Sequence, residues 1–324
     1  MNTTPEFSLS TYSESTRKQY IGRLNTIKNL FTTQFPNQPF NILNFQQLIP
    51  FITDTVLHIQ TRKGYYSAVL AHLSETAGKN SEAYLKYHEE FVKLKKNCNE
   101  MAKQQELSQK QKDKYLTKSD LEDLFKKCWS DTPNVESKYN IGNDYLILLG
   151  LYAIQAPVRA DYWDMPIVTH SEYINPNCSI LFSANRNYCV LNTENPTQPS
   201  YFVFNKYKTD QYYGQQKINI HPVLESMILR RFKEGNNRVL PFINNSNQLS
   251  QKVRALFKNL TGKECSITLC RHAWVYDLYA TNPTIQQKED LARRMLHSRQ
   301  IQEFYRTNED NNCLIVDSEG EDAS

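Results

Sequence analysis

At 324 residues with 40% hydrophobic content, the chain has material for two cores of ordinary domain size. Its formal net charge of +4 is too mild to announce a polyanionic partner by itself, so only the distribution of its 38 Lys and Arg residues bears on one. No run approaches the roughly 18 uninterrupted apolar residues of a membrane span, Met1 to Ser15 lack the order of a secretion signal, and the seven cysteines include no Cys-x-x-Cys pair, which together exclude a membrane protein and a disulfide scaffold and predict an intracellular protein with reduced thiols and no metal.

Residues 1–14 are rich in Ser and Thr and read as a flexible leader. After Ser15, Tyr20, Leu24, Ile27 and Phe31 recur at spacings of four and three, the mark of an amphipathic helix. Further helices are predicted over about 45–58, through Tyr66, Val69, Leu70 and Leu73, and through Tyr84, Tyr87, Phe91 and Leu94, so that residues 15–101 make a small all-helical domain. Arg17, Lys18 and Arg23 on the first helix, and Arg62 and Lys63 opening the third, set basic groups near helix N-termini, where unpaired backbone N–H groups favour phosphate. The same pattern also fits a plain packing bundle.

The apolar rhythm fades over 102–116, where Lys103, Lys110, Lys112 and Lys114 alternate with Gln and Asp. This stretch reads as an exposed linker, either a solvated tether or a basic strap along DNA. Thr117-Lys-Ser-Asp then reads as a capped helix start and opens a second domain, 117–307. Inside it, Tyr145 through Ile154 is apolar on nearly all faces, as a helix through a core would be, and Pro157 limits its extent. Alternation at Ile180, Phe182, Tyr188, Val190, Tyr201 and Val203, closing at 217–221, predicts a small antiparallel sheet. Helices resume over 223–232, 248–260, 268–279, 286–296 and 300 to about 306, and 308–324 forms a C-terminal segment with an acidic tail at 317–322. The fold class is therefore mainly α with a small antiparallel sheet, α+β.

Five residues of the second domain carry a common chemistry: Arg159, Lys208, Arg271, His297 and Tyr305. A phosphodiester repels nucleophiles and gains charge on its nonbridging oxygens when attacked, so an enzyme without metal needs fixed cations there. Arginine suits this task, because its planar fork stays protonated and gives two parallel hydrogen bonds to phosphate oxygens. Arg159 follows the buried helix and Arg271 stands in an apolar helix start, where an unpaired guanidinium is costly. An internal salt bridge, for instance of Arg159 with Asp161 or Asp164, would serve equally. A phenol needs neighbouring cations or a base to attack at neutral pH. Tyr305 is the only tyrosine after Tyr279 and follows Leu296-His297-Ser298 across one short helix. In isolation it would be a packing residue, and His297 a helix cap.

The order Ala156-Pro-Val-Arg159, Lys206-Tyr-Lys208-Thr, Thr268-Leu-Cys-Arg271-His272, Leu296-His297 and Tyr305 resembles the catalytic half of tyrosine recombinases and integrases. Ser15-Thr-Arg-Lys-Gln-Tyr resembles the start of that family's helical core-binding domain, so the likeness spans about residues 10 to 307. It implies a SAM-like core-binding domain followed by a catalytic domain, the two gripping opposite faces of duplex DNA. Tyr305 would be the nucleophile that forms a 3′-phosphotyrosyl intermediate at a specific target site, with Arg159, Arg271 and His297 on the phosphate. Lys208 would be the strand-borne general acid, with Lys206, on the same face, as its rival. Lys110, Lys112 and Lys206 join the basic residues of the first domain as DNA contacts. No metal, nucleotide or other cofactor is implied. The partners implied are double-stranded DNA and a homotetramer on two duplexes that passes a segment such as 308–316 between neighbours, in the setting of a mobile element or DNA virus. Two departures stand out: Thr268 occupies the family's usual histidine position, and Pro157-Val158 replaces a usual glycine. Thr268 cannot act as a base at neutral pH, so the group that activates Tyr305 stays open, with His272 as one candidate. A type IB topoisomerase and a catalytically inactive DNA-binding relative are the alternative readings.

Overall fold

The computed structural model describes residues 7, 9–104, 107–132, 134, 136–175, 185–195, 197–303 and 305. They fall into two compact units, Met1–Gln104 and Gln105–Ser324.

The first unit is four helices: α1 (Glu14–Gln34), α2 (Phe45–Thr55), α3 (Ile59–Thr76) and α4 (Glu82–Gln104). The periodic residues of α1 turn inward, and Leu24, Ile27 and Phe31 meet Leu48 and Ile52 of α2, Tyr66 and Val69 of α3 and Tyr87 of α4 in one buried core. The Tyr87 hydroxyl, carried into that core, donates to the carbonyl of Ile42 at 2.9 Å. Helix α4 runs past residue 101 into the expected linker, because Lys95 through Gln104 are mostly straight-chain residues that lose little freedom in a helix. Phe31 anchors an aromatic group with ring centroids 5.0 Å from Phe35, 5.7 Å from Phe40 and 5.3 Å from Phe51. Phe31→Ala is expected to cost this unit about 3–5 kcal/mol, read from the denaturant midpoint of its unfolding transition.

The second unit begins with α5 (Gln109–Lys112), a single turn closed by a capping box between Ser108 and Gln111. The stretch from 107 to 116 is thus not a free tether. Leu107 and Leu116 are buried, and Lys114 pairs with Glu264 at 2.9 Å. Next come α6 (Lys118–Ser130), α7 (Gly142–Ala153), β1 (Ile167–Thr169), α8 (His170–Ile174), β2 (Tyr188–Leu191), β3 (Tyr201–Phe204), α9 (Asp210–Tyr213) and β4 (Gln216–Asn219). The unit ends with α10 (Pro222–Lys233), α11 (Ser246–Thr261), α12 (Ile267–Tyr279), α13 (Ile285–Arg294) and α14 (Arg299–Glu303). The expected cap at α6 is in place: Thr117 accepts from the Asp120 N–H, and Asp120 accepts from the Thr117 N–H. All residues of α7 from Leu146 to Ala153 are buried, which explains why that helix carries no polar face.

The sheet is mixed rather than antiparallel. Its order is β1-β2-β3-β4, with β1 parallel to β2 and the other two pairs antiparallel. Residues 170–187 separate β1 from β2, a connection long enough for the chain to return in the same direction. Ile180 and Phe182, expected in the sheet, lie outside the described residues, as do Cys178, Cys313 and 308–324. Phe202 and Phe204 of β3 point into the same core as α7 and pack edge-on against Tyr162, at 5.2 and 5.7 Å between centroids. Among the described residues no helix is long and apolar enough to cross a membrane.

Candidate active site

Arg271 lies in the second turn of α12, whose start is fixed by Ser266 accepting from the Leu269 N–H. Its side chain is 1% exposed. One guanidinium nitrogen donates to the carbonyls of Pro157, at 2.6 Å, and Met295, at 3.0 Å. The other stands 3.1 Å from His297 Nδ1. A single side chain thereby ties together the segment leaving α7, the end of α13 and the turn that follows it. Because arginine only donates, His297 Nδ1 accepts, which places the imidazole proton on Nε2. That Nε2 is buried without a partner among the described residues. Burial, then the charges of Arg271 and Arg159, push the His297 pKa down to about 2, so the ring is neutral at any ordinary pH. His297 is neither a simple cap nor a cation here; it is a neutral donor with its hydrogen on Nε2. It follows Leu296, which sits at φ 54°, an uncommon left-handed backbone for a branched residue.

Tyr305 stands between two histidines, with ring centroids 5.1 Å from His272 and 5.4 Å from His297, and with the Arg271 guanidinium carbon 4.8 Å from its own ring centroid. Its backbone is held at both polar atoms: its N–H donates to Gln302 at 2.8 Å, and its carbonyl accepts from His272 Nδ1 at 2.8 Å. His272 therefore fixes the tyrosine's place through the main chain. Burial raises the phenol's pKa, but the charge and hydrogen bond of Arg271, then those of Arg159, outweigh it and leave Tyr305 below the usual phenol value. The difference in phenolate absorbance between wild type and Tyr305→Phe across a pH titration is expected to rise below the ordinary tyrosine range. In an Arg159→Ala background the rise should move to higher pH.

Arg159 is half-buried in the segment after α7, where its carbonyl accepts from the Tyr152 hydroxyl at 3.1 Å. The salt bridges open to it from sequence do not form. Asp164 is taken by Arg186 at 2.9 Å and Arg238 at 3.6 Å, and neither Arg159 nor Arg271 has a carboxylate at ion-pair distance among the described residues. Asp161 is nearby in charge only. Burial raises its pKa to about 6 against the pull of Arg159 and Arg271.

Lys208 is not strand-borne. It is exposed in the turn between β3 and α9, so the same-face argument linking it to Lys206, valid on a strand, does not apply. Lys206 is paired with Asp210 at 3.1 Å. The turn is tied to the site by Thr209, whose hydroxyl donates to the Leu296 carbonyl at 3.3 Å. Thr268 is exposed in the first turn of α12, one turn before Arg271. A cleft of about 400 Å³ opens beside His297, lined by Tyr207, Arg293, Leu296, Ser298 and Arg299 among others.

The structure thus gathers Arg159, Arg271, His297 and Tyr305, and places Lys208 on a turn bound to their wall. The sequence reading weighs Asp161 only as a salt-bridge partner of Arg159, and it misses Asn187, which nothing in its spacing marks. Of the basic residues assigned to DNA, Arg17 and Lys18 are exposed on α1, Lys18 beside Glu14 at 2.7 Å, and Lys110 and Lys112 are exposed on α5. Lys63 is partly buried. Two others are spent on the fold: Arg23 donates to the Gly64 carbonyl at 3.3 Å, and Arg62 to the Val56 carbonyl at 2.9 Å beyond the end of α2. Among the described residues no group of three or more His, Cys, Asp and Glu side chains is placed to hold a metal ion.

No family model and no curated protein matches the chain. Among solved structures, the crystal structure of XerA recombinase is similar over 94% of this chain and 91% of that one, at 10% identity and a TM-score of 0.38. A likeness this loose assigns neither family nor activity.

Proposed function

We propose that this chain cuts and rejoins DNA through a covalent bond to Tyr305, as a site-specific recombinase or integrase. The observation that carries the reading is a phenol with the Arg271 guanidinium carbon 4.8 Å from its ring centroid and the charge of Arg159 within reach, both arginines without a carboxylate at ion-pair distance among the described residues, whose charges lower its pKa despite burial. Two cations with no carboxylate at ion-pair distance among the described residues, beside a nucleophile, suit a phosphodiester, which supplies a directly bound negative charge. In the proposed step the Tyr305 phenolate, its proton lost to solvent, attacks the phosphorus. The bond to the 5′ oxygen breaks, the 3′ phosphate becomes linked to Tyr305, and the departing oxygen takes a proton from Lys208. Arg159, Arg271 and the Nε2 hydrogen of His297 hold the nonbridging oxygens. One phosphodiester replaces another, so rejoining is the same step in reverse and needs no nucleotide.

Double-stranded DNA with a specific site is the proposed partner. Exposed Arg17, Lys18, Lys110 and Lys112 are the proposed backbone contacts, and a homotetramer joining two duplexes is the proposed assembly. The test is covalent capture. The full chain is mixed with a pool of nicked duplexes randomised around the nick, and detergent-resistant adducts are recovered, sequenced and mapped on the protein. An adduct at Tyr305 is expected, and no adduct with any duplex would refute the reading. Efficient relaxation of a supercoiled plasmid lacking the recovered site would point instead to a topoisomerase.

A further inference from the structure

We infer that Asn187 is a positioning residue that sets the reach of the acid-bearing lysine turn onto the scissile phosphate. Asn187 precedes β2 and is buried. Its side-chain amide donates to the carbonyls of Asp161, at 3.1 Å, and Lys206, at 3.0 Å. Its carbonyl oxygen accepts from the N–H of Asn205, at 3.0 Å, and of Lys206, at 2.9 Å. Both donors and both lone pairs of one side chain are therefore used, all on main-chain atoms. The bond to Asp161 reaches the segment that carries Arg159, and the other three grip the start of the turn that carries Lys206 and Lys208.

The turn is fastened further on both sides. Asn205 donates to the Arg186 carbonyl at 2.8 Å and accepts from Gln215 at 2.7 Å, and Thr209 reaches the Leu296 carbonyl next to His297. An exposed lysine has no rigidity of its own, so the position of its ammonium depends on the backbone beneath it. Lys206 is paired with Asp210, whereas Lys208 has no ion pair among the described residues and is the lysine taken here as the acid. Asn187 thus fixes the separation between the cation that holds the phosphate, Arg159, and the lysine that protonates the leaving oxygen.

This inference rests on the DNA-cleavage reading, and its test separates the two. The recovered duplex is prepared with an ordinary 5′ oxygen or with a bridging 5′ sulfur at the scissile position. When the P–O bond breaks, the oxygen must take a proton; when the P–S bond breaks, the electron pair stays on sulfur as a stable thiolate and no acid is needed. A misplacement of about 1 Å costs on the order of 10²-fold in rate. Asn187→Ala should therefore slow cleavage of the oxygen substrate roughly ten- to a hundredfold, and cleave the sulfur substrate at close to the wild-type rate. Lys208→Ala should show the same pattern, and the double variant should be no slower than Lys208→Ala. Asn187→Ser, a smaller change, carries the test if thermal unfolding shows the alanine variant misfolded. Equal slowing on both substrates, or no slowing on either, overturns the inference while leaving cleavage standing. A wild-type chain that captures neither substrate overturns the cleavage reading and the inference with it.

Discussion

Tyr305→Phe is expected to abolish covalent capture of DNA while leaving the fold in place and duplex binding close to wild type. The exchange removes one oxygen. The ring still packs between His272 and His297, and the two backbone bonds, from His272 to the Tyr305 carbonyl and from the Tyr305 N–H to Gln302, do not involve the phenol. The loss of hydrogen bonding to Arg271 and Arg159 should cost no more than about 1–2 kcal/mol of stability. None of the other tyrosines near the site is set to substitute. Burial drives the phenols of Tyr152 and Tyr162 well above their ordinary value, and Tyr207, which lines the cleft beside His297, is also raised. Among Tyr152, Tyr162, Tyr207 and Tyr305, it is Tyr305 whose phenol is lowered. The check is a pair of gels: detergent-resistant adduct should vanish, and native mobility shift should persist. Adduct at the wild-type level in the phenylalanine variant would remove Tyr305 from the reaction.

Much of the helical framework could be read from the sequence because helical burial leaves a period that side chains cannot hide. Leu24, Ile27 and Phe31 had to share a face, and α7, apolar all round, had to run through a core. The capping box at Thr117 was equally readable, since both partners lie within one turn. Strand β1 was not. Three residues, Ile167–Thr169, hold no alternation to detect, and whether β2 runs parallel to it is decided by the intervening connection rather than by either strand.

At the site, residue types were legible and their partners were not. Arg271 is placed by carbonyls 114 and 24 positions away in the chain, contacts that no local pattern encodes. For the same reason the sequence suggested a salt bridge for Arg159 where the structure shows no carboxylate at ion-pair distance among the described residues. Charge on α1 and α3 was visible, but not that Arg23 and Arg62 spend theirs on neighbouring carbonyls. The resemblance puts Lys208 on a strand, whereas β3 ends at Phe204 and leaves that lysine in a turn.

Arg271→Lys separates charge from geometry and is expected to damage both stability and chemistry. An ammonium keeps the positive charge but presents it at one point, whereas the guanidinium reaches two carbonyls with one nitrogen and His297 with another. Lysine can serve only part of this set, and each buried acceptor left without a donor costs about 1–3 kcal/mol. The variant should therefore unfold at lower denaturant concentration than wild type. Freed from Arg271, the His297 ring is no longer obliged to accept at Nδ1, so its proton need not stay on Nε2, where the proposed reaction uses it. The Tyr305 phenol keeps a cation at this position but loses the Arg271 hydrogen bond, so its titration should shift upward toward the ordinary tyrosine range. Loss of one well-placed donor to a developing oxyanion typically costs about 10²–10³ in rate, so adduct formation should fall by at least that much. The three measurements distinguish the causes. A variant that remains folded at the assay temperature, with a raised phenol and slow capture, has lost the geometry of the fork. A variant that captures DNA within a few fold of wild type would show that charge at this position suffices, and the arrangement of carbonyls and histidine around Arg271 would then be structural support alone.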